Sequence, residues 1–544
     1  MPGRRLLLSA VACGFVPCAT GAGAEVVISS KPTTGLSCAS GICAPTAKNA
    51  VLNATDLENL LATGSVKVTT GTLTNDIKIQ AAFSWASANA LTLDARRSII
   101  VDRTVSVAGT AGLALTTNDG STKGDLTFGP GGNVSFLGTG NRLTIDGKVY
   151  ALESSIAALA SAIAARPGGH YAFSASYNAG NDGTYKNSPI ATEFDGVFEG
   201  LGNSISNLSV SGTYRNEGLF ASIASSGTVR DLNLVDESVA GNGKSSVGGV
   251  AGRNRGLVQN DSVSGQFSLL GAVRPKVQKA AVGALIGYNS GTIRNDSSTG
   301  TVSVSAGIMD SSAGGLVGTS YGRIFTSHSA VNLTVPDSST VGGLVGVAFT
   351  NTFKYAVRQC YATGSVSAGS NSTVGGLAGG LGAAAESFAT GPVIAGNNSM
   401  VGGLAGGTGS EPISNSYATG SVSAGSNSSA GGIFGWFTGN GGLISDVYST
   451  GSVTAGLGSF IGGFVGADRS GGGEIAHTYW DTTTSGITNP GQGAGNIDND
   501  PGIAGLTTSQ LQSGLPDGFS SSIWGENANR NGGLPYLLRV PPSP

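Results

Sequence analysis

Val341-Gly-Gly-Leu-Val-Gly346, Val374-Gly-Gly-Leu-Ala-Gly379 and Val401-Gly-Gly-Leu-Ala-Gly406 are three copies of one hexamer, and their spacing decides the fold. Five more copies of an apolar-or-small, Gly, small, apolar, apolar-or-small, Gly pattern begin at Val247, Val282, Ala313, Ala430 and Ile461, and a looser one begins at Asn216. In chain order the nine starts lie 31, 35, 31, 28, 33, 27, 29 and 31 residues apart. A period near thirty marks stacked repeat units that cannot bury their apolar faces singly.

Between hexamers a second phrase recurs, as Tyr361-Ala-Thr-Gly-Ser-Val-Ser-Ala-Gly-Ser-Asn-Ser372 and again over 388–399, 417–428 and 448–459. Its Thr-Gly-Ser-Val-Ser alternation reads as a short strand. A third short run, such as Gly291-Thr-Ile-Arg-Asn295 or Leu443-Ile-Ser-Asp-Val447, completes the repeat. Three short strands bounded by Gly, Asn and Ser turns make one coil of a β-helix. Glycine suits such a coil by reaching positive φ and by letting neighbouring backbone approach closely. Val, Leu and Ile of adjacent coils then stack inward, and nine coils rising ~4.8 Å each extend about 43 Å.

Upstream the same period-two signal continues without the hexamer, in Ile77-Lys-Ile79, Leu91-Thr-Leu93, Ile99-Ile-Val101, Val105-Ser-Val107, Leu113-Ala-Leu115, Leu126-Thr-Phe128, Val134-Ser-Phe136 and Leu143-Thr-Ile145. Two helices interrupt it. Thr55-x-x-Glu58 reads as a capping box opening a helix that carries Leu57, Leu60 and Leu61 and stops at Gly64. Leu152, Ile156, Leu159 and Ile163 share one helical face, and Pro167-Gly168 ends that helix. The expected fold is all-β: a right-handed parallel β-helix (solenoid) with two short helices and a C-terminal cap. Five segments follow: a signal peptide over 1–24, an N-terminal β-helical region over 25–150, a helix-containing connector and array entrance over 151–215, the repeat solenoid over 216–480, and a capping region over 481–544.

With 90 glycines, 11% charged residues and a net charge of -3, the chain departs from average globular composition. Gly does not recur at every third place and only 18 prolines are present, which excludes collagen. Recurrent Val, Leu, Ile and Phe runs argue against disorder. The near-neutral balance gives no footprint for nucleic acid, which demands clustered Lys and Arg. Arg274-Pro275-Lys276 with Lys279 is the densest basic spot and reads as a solvated loop.

Arg4 and Arg5, the apolar run Leu6 to Val16, and Ala22-Gly23-Ala24 have the layout of a secretory signal peptide. A lipidation reading at Cys13 lacks the usual Leu. No later segment approaches the ~18–20 apolar residues of a membrane helix, so no membrane insertion is expected. Secreted, extracellular or outer-cell-surface placement is. Cleavage would leave Cys38, Cys43 and Cys360. The first two could form a disulfide in an oxidising compartment. Cys360 stands where sister repeats carry Ser and reads as a small buried filler.

The hexamers, followed by Tyr-Ala-Thr-Gly-Ser-Val, resemble the GLUG repeat of bacterial surface proteins over about residues 216–480. Tyr479-Trp480-Asp481 with Thr484-Ser485-Gly486, then Leu506-Thr-Thr-Ser-Gln-Leu511, Trp524 and Asn531-Gly-Gly-Leu-Pro-Tyr-Leu537, resemble the tail that closes such arrays. Residues 25–150 resemble, more loosely, the β-helical parts of filamentous-haemagglutinin-type exoproteins of Gram-negative bacteria. Those resemblances imply an adhesin and an outer-membrane export partner. The Asn-Pro secretion motifs of that N-terminal domain are missing, Asn489-Pro490 being the only Asn-Pro. There is no terminal barrel-sized domain of the kind an autotransporter carries.

Each candidate site has a plainer reading. Gly318-Thr-Ser320-Tyr-Gly322 has the form of a nucleophile elbow but occupies a post-hexamer turn. His170, His328 and His477 are too dispersed for a triad or shared metal. Glu193, Asp195 and Glu199 share parity around Phe194 and Phe198 and are the best acidic cluster for a polysaccharide-cleaving enzyme on a β-helix. Asn496, Asp498 and Asp500 have the 1, 3, 5 spacing of a calcium loop, with Pro501 and Thr507 where Gly and Glu belong. Gly243-Lys244-Ser245 imitates a phosphate-loop end, with Ser238 in place of its first Gly. No catalytic, cofactor-binding or metal residue is assigned. Between Cys360 and Ser445 only Glu386 and Glu411 are charged, leaving a face of Ser, Thr, Asn and Gly suited to a solvated stalk or to hydrogen-bonding glycans and cell-surface components. The leading expectation is an adhesin-like structural and binding protein without catalysis. A polysaccharide-cleaving enzyme and a passive envelope spacer are the alternatives.

Overall fold

A computed structural model describes residues 24–120, 123–271, 280–350, 354–409, 411–439, 442–470 and 474–540. The signal-peptide reading, Cys13 and the basic spot at 274–279 lie outside them. The described residues are all-β, with only three α-helices among them, and wind through about 15 turns of a parallel solenoid.

The hexamer is a corner between two strands. Thr340–Gly342 and Val345–Ala348 belong to two different nine-stranded parallel sheets, and Gly343-Leu344 turns the chain from one to the other. Register is kept from coil to coil. Val341 pairs with Ala313 and Val374, and Val345 pairs with Val317 and Ala378. Leu316, Leu344, Leu377, Leu404, Ile433 and Phe464 fill the corner interior with no exposure. Complete burial of each such side chain is worth about 1.5–3 kcal/mol.

The glycines of this corner answer to close approach. A Cβ on Gly342 would lie 2.2 Å from the Val345 carbonyl oxygen, on Gly343 2.1 Å from the Gly376 oxygen, and on Gly346 2.5 Å from the Gly318 oxygen. None of these three has positive φ, so the left-handed role expected of them falls elsewhere. It falls on Asp231, Asn260, Asn295, Thr326, Gln359, Glu386, Asn415, Asp446 and His477, with φ between 45° and 60°. Asn and Asp tolerate that conformation through local hydrogen bonds. Side chains of neighbouring coils link along the row, Asn260 Nδ2 donating to Asp231 Oδ1 (3.0 Å) and Asn295 Nδ2 to Asn260 Oδ1 (3.1 Å).

The phrase supplies the opposite wall. Ser298, Ser329, Ala362, Ala389, Ala418 and Ser449 stack in register. A Cβ on Gly343 would come within 3.0 Å of the Ala362 Cβ, and one on Gly376 within 2.9 Å of the Ala389 Cβ. Hexamer glycine and phrase alanine are therefore complementary across the lumen. The column runs on to buried Trp480 and its partner Gly505, and the Trp480 ring occupies the space beside Gly463, Gly493 and Gly505.

All eight upstream alternating runs are strands. Val66, Leu91, Leu113 and Leu143 form one inward column, and Ile77, Ile99 and Leu126 another. Cys38 and Cys43 face each other across an antiparallel pair of strands and are disulfide-bonded. Helix α1 (Ala54–Thr63) starts two residues earlier than the capping box suggests. Asn53 is its N-cap, accepting from Thr55 N and Asp56 N, and Glu58 accepts from Ser84 N instead (2.8 Å). Helix α2 (Ile156–Ala165) buries Ile156, Leu159 and Ile163, while Leu152 belongs to the strand Lys148–Glu153. The Tyr171 hydroxyl closes α2 by donating to the Ala162 and Arg166 carbonyls.

Two details of the array depart from its sequence pattern. In the looser first repeat Glu217, not Asn216, pairs with Val247, and Phe220 pairs with Ala251, so this corner is one residue shorter. The tail lies along a flank. After the strand Ile503–Leu506 and helix α3 (Thr508–Leu511), residues Leu511, Phe519, Trp524, Leu537 and Val540 pack on the outward aromatic row Phe388, Tyr417, Tyr448 and Tyr479. The rings of that row stack at 4.7–5.2 Å from Phe388 to Tyr448. Such a surface is covered where it meets the Trp524 ring and the Pro535 carbonyl that accepts from the Tyr448 hydroxyl.

Candidate functional site

Alternation in the phrase strands turns one residue in two outward. Ser268, Ser303, Thr334, Ser367, Ile394, Ser423 and Thr454 are paired neighbours in that order, and all are exposed or half-buried. Hydroxyls at six of seven places therefore repeat at the coil spacing of ~4.8 Å. Only Ile394 breaks the row.

The second hexamer strand presents a different exterior. Arg253, Tyr288, Thr319, Val347, Gly380, Gly407 and Trp436 form one outward column, which ends at the buried Ala467. Beside it Tyr321 and Phe349 follow Ser320 and Ala348, which pair with each other. Arg253 lies over the Tyr288 ring at 5.6 Å, Tyr288 and Tyr321 approach at 5.9 Å, and Arg469 lies over Trp436 at 5.2 Å. This face carries aromatic rings and cations where the phrase face carries hydroxyls.

The acidic trio does not converge. Glu193 and Asp195 are exposed, Glu193 bonding Ser222 Oγ and Arg255, and Asp195 bonding Ser226. Glu199 turns inward to Arg230 (3.2 Å), and burial together with Asp231 holds its carboxyl well above the usual range. Ser320 is fully buried inside the strand Val317–Ser320 and accepts from Asn289 Nδ2 (3.0 Å), a setting unlike a strand-to-helix elbow. His170 contacts Tyr150, His328 stacks on Tyr361 at 4.7 Å, and His477 lies 3.4 Å from Asp446. Burial lowers the His328 ring to about 4, so it is neutral at ordinary pH.

Asn496, Asp498 and Asp500 likewise part. Asn496 bonds the backbone of Asp468 on both sides, Asp498 is exposed, and Asp500 is buried against Asp468, its carboxyl pushed up to about 7 by burial and by that neighbour. Among the described residues no group of three His, Cys, Asp or Glu is arranged to hold a metal ion. Gly243-Lys244-Ser245 is a turn whose Ser245 hydroxyl donates to the Tyr214 carbonyl (2.6 Å). Cys360 sits between Ser327 and Ser387 of neighbouring coils, buried, its thiol pushed up to about 12 by burial. Glu386 and Glu411 were the only charges of the neutral stretch, and Glu386 is held by Arg358 (2.7 Å).

A buried polar knot joins the N-terminal coils to the array, and no local motif announces it. Arg230 reaches Asp125 (2.8 Å) and the Leu126 carbonyl, and Gln259 Nε2 donates to Asp125 Oδ2. Asp261 and Asp296 continue the knot, Asp261 N donating to Asp296 Oδ1 (2.7 Å), and burial raises both carboxyls well above the usual range. Its hydrogen bonds span up to 134 residues of sequence.

Set against known proteins, the chain matches no family model and no curated sequence.

Proposed function

We propose that this chain is a secreted or cell-surface, adhesin-like structural and binding protein without catalysis, of the GLUG-repeat kind and with a filamentous-haemagglutinin-like N-terminal region. The parallel solenoid is a scaffold consistent with that role. The observation that supports it most is the outward row from Ser268 to Thr454, which carries a hydroxyl at six of seven successive coils. Repeated weak contacts add through effective concentration, so a long ligand such as a surface glycan gains avidity that a short one does not.

Two measurements test this reading. Surface labelling compared with culture supernatant should place the mature chain outside the cell, and purified protein should attach to glycan-coated or cell surfaces. Retention inside the cell together with silence in both attachment assays defeats it. Polysaccharide depolymerisation lost in Glu193→Gln or Asp195→Asn would replace it with the enzyme.

A further inference from the structure

Most array glycines are demanded by packing, but Gly380, Gly407 and Gly409 are not. Gly380 and Gly407 are neighbours in the outward column of the second hexamer strand, and Gly382 and Gly409 follow two residues later in the same two coils. Gly380, Gly407 and Gly409 are half-buried and make a patch of bare backbone, while Gly382 is buried against the Ala348 carbonyl, 3.0 Å from its Cβ position. A Cβ on Gly407 would meet nothing nearer than Thr373 Cγ2 at 3.7 Å, and one on Gly409 nothing nearer than Thr438 Oγ1 at 3.8 Å. Neither has positive φ. A side chain would therefore fit at both places without strain, in contrast to Gly343.

Aromatic walls stand on either side of the patch. Phe349 leans over one half, its ring 3.5 Å from the Cβ position of Gly380 and 3.2 Å from that of Gly382. Trp436 pairs directly with Gly407 on the other side, its ring half-exposed, with Arg469 above it and Thr438 next to Gly409. Three coil steps separate the strands that carry the walls, about 14 Å. Gly380 and Gly407 lie inside the parallel ladder, paired on both sides, so an added peptide strand has no edge to pair with there. What fits is a ring with an apolar face to lie on Phe349 and Trp436 and hydroxyls around its rim to meet Thr438 and Arg469.

We infer that Gly380, Gly407 and Gly409 form a shelf that takes a pyranose unit of a polysaccharide between Phe349 and Trp436. This rests on the binding reading above and adds to it a ligand class and a place distinct from the hydroxyl row. The test is affinity electrophoresis and Trp fluorescence titration of the full chain with hydroxyethyl cellulose, a neutral probe, and polygalacturonate, an acidic one. Saturable binding of at least one is expected. Trp436→Ala and Gly407→Leu should each weaken it at least tenfold with an unchanged melting temperature. Gly407→Ala, whose methyl has room, serves as the folding control. Binding left intact by both variants overturns the shelf, and if it is lost instead on Thr334→Val with Ser423→Val, the adhesin-like reading survives on the hydroxyl row. Failure of wild type to bind either polysaccharide, or binding of gelatin in their place, overturns the shelf as well. Only that failure joined to silent cell attachment takes the broader reading with it.

Discussion

Ile77 and Ile79 stack on Ile99 and Val101 in the N-terminal coils by alternation alone, with hydrophobic bulk such as the Phe83–Trp85 pair filling the interior. In the array, Val341 and Val374 stack through corners where Gly343 and Gly376 press on Ala362 and Ala389. One architecture is thus reached by two codes. Alternation decides which side chains face inward, and it suffices where large residues set the distance between walls. The array fixes that distance by pairing absent and minimal side chains, which makes it regular and intolerant.

That contrast can be broken most severely at the corner. Gly343→Val places a branched side chain where even a Cβ would lie 2.1 Å from the Gly376 oxygen. It should cost more than about 4 kcal/mol, the range of exceptional single mutations, and abolish the array's cooperative transition in chemical denaturation. A fold that keeps its transition with Gly343→Val would show that the corner is not close-packed.

The two apolar interiors are next. Leu93 belongs to the N-terminal core and Leu344 to the array core, both fully or almost fully buried. Each Leu→Ala change should cost about 2–5 kcal/mol, lowering a separate hydrogen-exchange or calorimetric transition. A single transition moved equally by both would mean that the polar knot at Arg230 fuses the two into one cooperative unit.

Reduction of Cys38–Cys43 should follow, at about 2 kcal/mol for so short a loop, and should be confined to protection of the N-terminal strands. Mild thiol treatment with hydrogen exchange reads this out.

Acidity provides the gentlest lever. The array buries Glu237, Asp261 and Asp296, whose carboxyls are raised well above their usual range first of all by burial, and no hydrogen-bond donor reaches either Glu237 oxygen. In the N-terminal coils the buried Asp76 and Asp94 are instead paired with Arg97 and with Lys67. A group raised in the folded state contributes stability that is complete below its unfolded value near 4 and declines as pH climbs to the folded value, by at most ~1.4 kcal/mol per pH unit. The array should therefore melt higher at pH 5 than at pH 8, and Glu237→Gln should flatten that slope. Equal slopes in wild type and variant would remove Glu237 from the account.

Much of this was legible before any coordinates because solenoid columns are written as periodicities. The hexamers and the eight upstream runs predict the stacked strands, and Ile156, Leu159 and Ile163 predict the face of α2. What escaped depends on contacts without a period. The left-handed row is filled by Asp, Asn, Thr, Gln, Glu and His, so no residue type marks it. The knot joins Asp125 to Arg230 and Gln259 across more than a hundred residues. Asn53 caps α1 two places before the residue whose motif suggested the start, because Glu58 is drawn to Ser84. The shelf was hidden by its likeness to the corner glycines, which only the space around each Cβ separates.

The stacking itself is best measured by spin-label distances along the outward row, in a Cys360→Ser background that copies the neighbouring coils. Ser303 held as reference and paired in turn with Ile394, Ser423 and Thr454 spans three, four and five coil steps. Distances near 14, 19 and 24 Å, rising by ~4.8 Å per coil, are predicted. A set that fails to climb in equal steps would contradict the solenoid and every reading built on it.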